Sequence, residues 1–385
     1  MKERRFDRLL IGVALALAFL GSTSYGQPAK ERTDRLALVS GLIYTSPTEI
    51  PIRDGVILIQ DGKIAAVGRR GSVTIPRGTR IIDCSGLTIT AGFWNSHVHF
   101  LERKWANADK IPGPELRKQL EEMLTRYGFT SVFDTWSTWE NTRRLRERIE
   151  SGEVPGPRVR TTGEALIPKG GAPSQLTADV LGFAPYSVPE VTSPAEALAA
   201  ASKLLDQGVD GIKMYVRTFP PPSPLLPENA VEAATREAHR RGKLAFAHPT
   251  DREGLLNAVR GGVDVIVHTT PQGGPWDETI LTAMKQSNVA LIPTLQLWGY
   301  ETRHDRVSIS DRFTENAIVQ LRAWLAAGGT VLFGTDVGYM ADYDPSEEYA
   351  LMAKAGMDFR QILTSLTAQP STSTSNSPPP EVDPE

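Results

Sequence analysis

The sequence has almost no cysteine. Cys84 is the only one among 385 residues, so no intrachain disulfide can form. A chain of this length can bury a core large enough to fold without disulfides, and export is therefore not excluded. Cys84 lies at the end of an apolar run, Ile-Ile-Asp-Cys. We expect it to be a buried structural thiol rather than a nucleophile.

The sequence also lacks an excess of positive charge. Its 42 Lys and Arg residues face 45 Asp and Glu residues, giving a formal net charge of −3. A nucleic-acid partner is therefore not expected. The apolar run Leu9–Leu20 is too short to span a bilayer comfortably, so we expect no stable membrane anchor.

The first 26 residues have the layout of a secretory signal peptide. The apolar run Leu9–Leu20 follows a basic segment and precedes several small residues, with a cleavage position before Gln27. The basic residues are Lys2, Arg4, Arg5 and Arg8. We therefore predict that residues 1–26 are removed and that the protein is exported to the periplasm or the extracellular space.

Residues 36–90 form an all-β pattern. Asp61-Gly62 separates two apolar runs of matching length, which predicts a β-hairpin. Neighbouring apolar runs add further strands, but such a sheet is too thin to hold a core of its own. We therefore predict a small, partial β-sandwich domain here.

From residue 91 to about 368, strands alternate with helices. Counting 87–99 as the first strand gives eight β/α units, which is the size of a (β/α)8 TIM-like barrel. The other seven predicted strands are 130–133, 158–162, 208–215, 243–248, 263–268, 289–297 and 330–334. A doubly wound open sheet is the second choice, because no glycine-rich phosphate loop follows the first strand.

Reactive side chains of such a barrel stand at the carboxyl ends of its strands. His97-Val98-His99 ends the first strand, and alternation along a strand places both imidazoles on one face. Four more candidates end later strands: Lys213, His248, His268 and Asp336. The other two histidines, His239 and His304, lie in polar surroundings, and we expect them to be solvated.

These residues carry a family resemblance. The span from about Leu36 to Leu366 resembles the amidohydrolase superfamily, in particular its imidazolonepropionase-like and Xaa-Pro dipeptidase-like branch. The resemblance rests on the Asp-Gly hairpin, on Ala91-Gly92-Phe93 leading into the His97/His99 pair, and on the four later strand-end residues. It implies a barrel with a small β-sandwich and one or two divalent metal ions, usually zinc.

The resemblance also assigns roles. His97, His99 and Asp336 would hold a first metal ion, and His248 and His268 a second. Lys213 would bridge both ions as a carboxylated lysine, since an ammonium group between two dications is strongly disfavoured.

The resulting function is an exported metal-dependent hydrolase that cleaves an amide, cyclic amide or Xaa-Pro dipeptide bond. A metal-activated hydroxide would attack, with Asp336 as general base and acid. No Gly-x-Ser-x-Gly motif is present, which disfavours acyl-enzyme chemistry. The alternatives are a mononuclear deaminase and a non-catalytic barrel that binds metal or ligand. The small-molecule substrate would contact Tyr215, Arg217 and Trp298, with Arg217 available for a carboxylate.

The end of the sequence departs from the family pattern. Residues 369–385 are polar and proline-rich, so we expect a disordered tail. Strands that would complete the β-sandwich do not follow the barrel. We therefore expect uncovered apolar surface on residues 36–90, and a homo-oligomer is one way to cover it.

Overall fold

The computed structural model describes residues 35–171, 188–218 and 223–368. They fall into two compact units, the first made of residues 35–43 and 52–88 and the second of 44–51 and 89–368. The predicted signal peptide and disordered tail lie outside the described residues. In the described part of the chain, no helix has the length and apolar character needed to cross a membrane.

The first unit is a five-stranded β-sheet. Its strands are β1 (Arg35–Ile43), β2 (Ile52–Gln60), β3 (Lys63–Arg69), β4 (Arg80–Asp83) and β5 (Thr88–Ile89). Their order is β3-β2-β1-β4, and β5 also pairs with β1. Asp61 and Gly62 have φ values of 52° and 76° in the β2–β3 turn, as a two-residue hairpin of the mirror-image type requires.

One face of this sheet has its own small core. Ala37 and Val39 of β1 pack with Val56 and Leu58 of β2, because alternate residues of neighbouring strands share a face. Cys84 is buried, as predicted.

The second unit alternates strands and helices, and its strands pair in parallel. The strands are β6 (Phe93–Val98), β7 (Phe129–Asp134), β8 (Arg158–Thr161), β9 (Ile167–Pro168), β10 (Glu190–Val191), β11 (Gly211–Tyr215), β12 (Leu244–His248), β13 (Val265–Val267), β14 (Ala290–Ile292) and β15 (Thr330–Val331). They form a sheet β6-β7-β8, a sheet β11-β12-β13-β14-β15 and a two-stranded pair of β9 with β10.

The helices of the second unit follow these strands. They are Gly113–Met123, Trp139–Glu150, Pro194–Gln207, Glu228–Arg240, Arg252–Arg260, Glu278–Gln286, Leu295–Glu301, Val307–Ala326, Ser346–Lys354 and Phe359–Thr367. Ser193, Asp251, Asp277 and Asp358 accept a backbone N–H at the start of four of them. Their apolar faces pack on the strands to form the main core.

Backbone contacts also link the three-stranded and five-stranded sheets. Val98 at the end of β6 forms a bridge with Val337, and Ser96 N donates to Phe333 O at 2.7 Å. At the other side Leu166 forms a bridge with Met214 of β11. The predicted α/β class is therefore confirmed, with eight parallel strands in these two sheets.

Two predicted strands differ most from the structure in their bounds. The first strand of the second unit begins at Phe93, because residues 88 and 89 pair with β1 instead. The predicted strand 289–297 ends at Ile292, and residues 295–301 form a helix. Thr294 turns the chain with a left-handed φ of 43°, and Glu348 accepts the N–H of Gln296 at 2.8 Å. That carboxylate satisfies one of the free donors at a helix start.

Candidate metal centre

The first and last strands of the second unit bring three potential ligands together. His97 lies in β6, His99 follows one residue after it, and Asp336 follows β15. One nitrogen or oxygen from each lies within 4.8 Å of the others, and all three residues are buried. The Nε2 atoms of His97 and His99 are 3.1 and 2.8 Å from Asp336 Oδ1.

A hydrogen bond on the outer side of the His99 ring indicates which of its two nitrogens carries no proton. His99 Nδ1 lies 2.8 Å from the carbonyl oxygen of Trp136, which can only accept, so Nδ1 carries a proton. In the neutral imidazole, Nε2 then directs a lone pair at Asp336. Neither His97 Nε2 nor Asp336 Oδ1 has a hydrogen-bond partner of suitable geometry among the described residues. Bare donor atoms that converge in this way suit a cation.

Close packing explains the sequence Gly334-Thr335-Asp336. A Cβ on Gly334 would lie 2.8 Å from His97 Cβ and 2.4 Å from Ile292 Cγ2, so only glycine fits beside the strand that carries His97. Asn95 of β6 donates to Thr335 Oγ1 at 2.7 Å, and Asp336 N donates to His97 O at 2.9 Å. These bonds hold Asp336 against the His97/His99 strand.

His248, His268 and Lys213 lie beside this group. The ring centroid of His268 is 4.8 Å from that of His97 and 4.6 Å from that of His248. His268 Nε2 is 4.0 Å from Asp336 Oδ2. The Nζ of Lys213 and the Nδ1 of His248 are buried without a hydrogen-bond partner in the described part of the chain. All six predicted ligands therefore occupy one region, and three of them form the tight group.

Burial controls the charge of these side chains. It lowers the pKa of His97 to about 3, although Asp336 opposes the shift. It lowers the pKa of Lys213 to about 7, again against Asp336. Burial alone would raise the pKa of Asp336, but contacts with His97 and His99 outweigh it and hold the pKa well below its usual range. The region thus presents an ionised Asp336 beside a neutral His97, which suits a divalent ion.

The predicted substrate contacts lie in different settings. The Tyr215 ring is 4.5 Å from the His248 ring, and the Trp298 ring is 6.5 Å from the His268 ring. Arg217 is already paired with two carboxylates, Asp251 at 3.0 Å and Glu253 at 2.8 Å. It is therefore not the free cation that the sequence suggested.

Several residues near the site escaped the sequence reasoning. Thr135 contacts His97 Nδ1, and Thr294 Oγ1 lies 2.6 Å from His268 Nδ1. The only sequence feature that indicates these two residues is a threonine one or two positions after a strand: Thr135 follows β7, and Thr294 lies two residues after β14. His239 was expected to be solvated, but its Nε2 lies 2.9 Å from the buried Asp264 Oδ2. His304 is exposed, as predicted.

Comparison with known proteins agrees with this architecture. Three solved structures of similar fold are a Xaa-Pro dipeptidase with bound methionine in its active site, ochratoxinase from A. niger and molinate hydrolase. The first has a TM-score of 0.72 and 21% sequence identity, over 86% of each chain. Ochratoxinase has a TM-score of 0.67 and 20% identity, over 87% of this chain and 83% of its own. Molinate hydrolase has a TM-score of 0.66 and 22% identity, over 88% and 84%.

A family model adds a direct assignment. The model described as "Amidohydrolase family" matches residues 88–375, about three quarters of the chain. The match contains His97, His99, Lys213, His248, His268 and Asp336. The chain therefore belongs to the amidohydrolase family and is a hydrolase that acts on carbon–nitrogen bonds.

Proposed function

We propose that the protein is an exported, divalent-metal-dependent hydrolase of small amides, cyclic amides or Xaa-Pro dipeptides. The observation that carries this proposal is the convergence of His97 Nε2 and His99 Nε2 on Asp336 Oδ1. Two neutral imidazoles and a carboxylate are a common ligand set for zinc. This set is buried and its outer nitrogens are held by Thr135 and the carbonyl oxygen of Trp136, so the inward-facing atoms are left to hold a metal ion.

The six strand-end residues would divide between two ions. His97, His99 and Asp336 would hold the first ion, and His248 and His268 the second. Lys213 would bridge them after its neutral amine adds CO2 and loses a proton to give an anionic carbamate. Lys213 is fully buried, and its Nζ has no hydrogen-bond partner among the described residues. Both observations support this role, because a permanent ammonium there would need a counter-charge.

Zinc or a similar ion, when bound, supplies Lewis acidity that lowers the pKa of water and polarises a carbonyl group. Asp336 would accept the proton of the attacking water at a carboxylate oxygen and deliver it to the leaving nitrogen. The contacts with His97 and His99 keep Asp336 ionised, which a general base requires. Thr135 and Thr294 hold the rear nitrogens of His97 and His268, so both rings stay oriented.

The substrate pocket would be aromatic. Tyr215 lies against His248, and Trp136 lies 5.2 Å from Tyr215, while Trp298 approaches His268 from another side. Flat apolar groups pack well against such walls. A substrate carboxylate that used Arg217 would have to compete with Asp251 and Glu253.

The barrel would close through the two bridges that join its sheets. The Val98–Val337 and Leu166–Met214 bridges are both parallel, as closure of a (β/α)8 barrel requires. Export is supported by the basic and apolar residues that precede Gln27. Sequencing of the mature N-terminus should begin at Gln27, and an intact Met1 in secreted protein would contradict export with cleavage there.

Metal content and turnover test the proposal together. Purified protein should retain at least about one metal ion per chain by elemental analysis, and two if Lys213 bridges a pair. With zinc loaded, a library of N-acyl amino acids, Xaa-Pro dipeptides and cyclic imides should yield a substrate. One metal ion with release of ammonia from an amino-substituted ring would instead support the mononuclear deaminase.

Matched variants make this test specific. Asp336→Asn should lower kcat by about 1000-fold or more, because it removes a ligand and the proton acceptor. His304→Gln changes an exposed histidine and should leave metal content and kcat unchanged. Protein that binds less than one ion per chain and turns over no substrate would leave the non-catalytic barrel as the answer.

A further inference from the structure

The segment Asp134–Ser137 begins with the last residue of β7, and two of its residues contact the rear of the His97/His99 pair. Thr135 Oγ1 contacts His97 Nδ1. The carbonyl oxygen of Trp136 lies 2.8 Å from His99 Nδ1. One short segment therefore contacts the outer nitrogens of two proposed ligands.

This segment is itself held by a buried carboxylate. Ser137 Oγ donates to Asp134 Oδ1 at 2.6 Å and accepts the N–H of Phe100 at 2.8 Å. Phe100 is the residue after His99, so the bond from Phe100 N to Ser137 links the segment Asp134–Ser137 to the end of β6. The other oxygen of Asp134 accepts from Thr161 at 2.8 Å and from Thr142 at 3.2 Å. The side chains of Asp134 and Ser137 are fully buried.

We propose that Asp134 and Ser137 are positioning residues that set the metal affinity of the His97/His99 pair. The inference rests on the proposed metal site but concerns residues that would not touch the ion. A carbonyl fixed 2.8 Å from His99 Nδ1 selects the tautomer that leaves Nε2 free and also fixes the plane of the ring. Without the Asp134–Ser137 bond, Ser137 no longer holds the Trp136 carbonyl and the end of β6 in fixed positions relative to Asp134.

The experiment compares variants that alter the bonds to one or the other carboxylate oxygen of Asp134. Ser137→Ala removes the bonds to Asp134 and Phe100, and Asp134→Asn keeps the volume but weakens the acceptor. Thr142→Val removes a hydroxyl from the other oxygen of Asp134 and leaves the bond from Ser137 to Asp134 in place. The probe is Co²⁺, added to metal-free full-length protein. Its affinity is measured by competition with a chromophoric chelator, and its visible absorption reports ligand geometry.

We expect Ser137→Ala and Asp134→Asn to weaken Co²⁺ binding about 10- to 100-fold and to change the visible band, as is typical for outer contacts of metal ligands. Thr142→Val should bind Co²⁺ as wild type does. The melting temperature of each metal-free variant separates loss of folding from loss of affinity. If Ser137→Ala does not fold, Asp134→Asn decides by the same criteria.

The outcomes also separate this inference from the proposed function. Wild-type protein that binds no Co²⁺ would overturn the proposed metal site and this inference with it. Wild-type protein that binds Co²⁺, with the folded variants within threefold of its affinity and an unchanged spectrum, would overturn the inference alone. A similar loss of affinity in Thr142→Val would also overturn it, since the effect would then come from general packing.

Discussion

Two of the proposed ligands have backbone conformations that L-residues seldom adopt. His268 has a φ of 73° and Asp336 a φ of 65°. Such conformations cost about 1–3 kcal/mol each and persist only where the surroundings enforce them. Here the N–H of His268 donates to Ile292 O at 2.8 Å and that of Asp336 to His97 O at 2.9 Å. The backbone strain therefore lies at His268, directly after β13, and at Asp336, in the segment after β15.

Lys213 gives the sharpest prediction for a single residue of the site. Lys213→Ala should lose bound metal and activity, because it removes the proposed bridge between two ions. Short carboxylic acids should partly restore activity by replacing the carbamate. Lys354→Ala is the control, since Lys354 pairs with Glu315 on the surface. Full metal content in Lys213→Ala would show that Lys213 is not a bridging ligand.

Glu348 predicts a pH dependence of stability. Burial raises its pKa from 4.5 to about 7, although it accepts the backbone N–H groups of Gln296 and Leu295. Between these two values the unfolded chain has released the proton and the folded chain has kept it. The free energy of unfolding should therefore fall as pH rises from about 4.5 to 7, by at most about 3 kcal/mol.

Denaturant unfolding at several pH values checks this prediction. Glu348→Gln should remove the decline in that window, because glutamine does not titrate. Glu121→Gln alters an exposed residue of the helix Gly113–Met123 and should retain the wild-type profile. Identical profiles for wild type and Glu348→Gln would show that Glu348 does not control stability there.

The sequence placed the proposed ligands better than the residues that support them. His97, His99, His248 and Lys213 lie within or just beyond strands and could be placed by period-two alternation and strand order. The partners Thr135 and Thr294 could not, because threonines are common after strands. Their role depends on distances between separate loops, and only the fold supplies those distances.

At the scale of elements, the helix Leu295–Glu301 shows why local pattern can mislead. Its alternating Leu295, Gln296 and Leu297 suggest a strand. The helix begins because Thr294 reverses the backbone and Glu348 accepts the N–H of Gln296 from 52 residues further along the chain. No window of local sequence contains that interaction.

The helix Arg252–Arg260 carries a prediction about substrate charge. Asp251 begins this helix by accepting Gly254 N at 2.8 Å, and it also pairs with Arg217. Glu253 pairs with Arg217 too, but it is largely exposed, so its removal should cost little stability. Glu253→Gln should therefore leave Arg217 freer to attract a substrate carboxylate.

Steady-state kinetics with paired substrates tests this prediction. In Glu253→Gln, KM should fall severalfold for N-acyl amino acids and stay unchanged for neutral amides of the same size. Glu278→Gln, in the first turn of the next helix, is the control. A KM that changes equally for charged and neutral substrates would place Arg217 outside the substrate site.

At the scale of the whole molecule, the first unit exposes apolar side chains on its outer strands. Ile64 on β3 is 66% exposed and Ile81 on β4 is 58% exposed. Strands β3 and β4 are the two outer strands in the order β3-β2-β1-β4. Unpaired strand edges with apolar side chains favour association. Ile64→Thr combined with Ile81→Thr should reduce aggregation and change the free energy of unfolding by less than about 1 kcal/mol.

Light scattering on heating and denaturant unfolding check both parts of this prediction. Leu58→Thr is the contrasting variant, because Leu58 lies in the small core of the same sheet. It should lower stability by more than about 1 kcal/mol, through the loss of a buried apolar side chain and the burial of a hydroxyl. Unchanged aggregation in the double variant would show that these edges do not drive association.

The α/β class followed from sequence because apolar runs, such as those of β12 and β13, alternate with helical patterns. Phe129–Asp134 and Leu244–His248 were predicted within a residue or two of their bounds. The boundary at residues 88 and 89 was missed because the same extended segment can pair with either sheet. Which sheet it joins depends on β1, which begins more than 50 residues earlier.

The bond between Asn95 and Thr335 has a consequence for the order of events during folding. These residues are 240 positions apart, and they hold the last strand beside the first. Contacts between such distant residues form late, because a long chain must close on itself first. During synthesis, His97 and His99 emerge long before Asp336. The metal should therefore enter only when the rest of the unit is in place.

Refolding in the presence of Co²⁺ would make this sequence of events visible. Far-UV circular dichroism should recover first, and the visible Co²⁺ band should appear with the slowest kinetic phase. A band that forms in the first phase would mean that His97 and His99 capture the ion before the last strand arrives. If the Co²⁺ band appears last, the rate of metal uptake reports the rate at which the fold is completed.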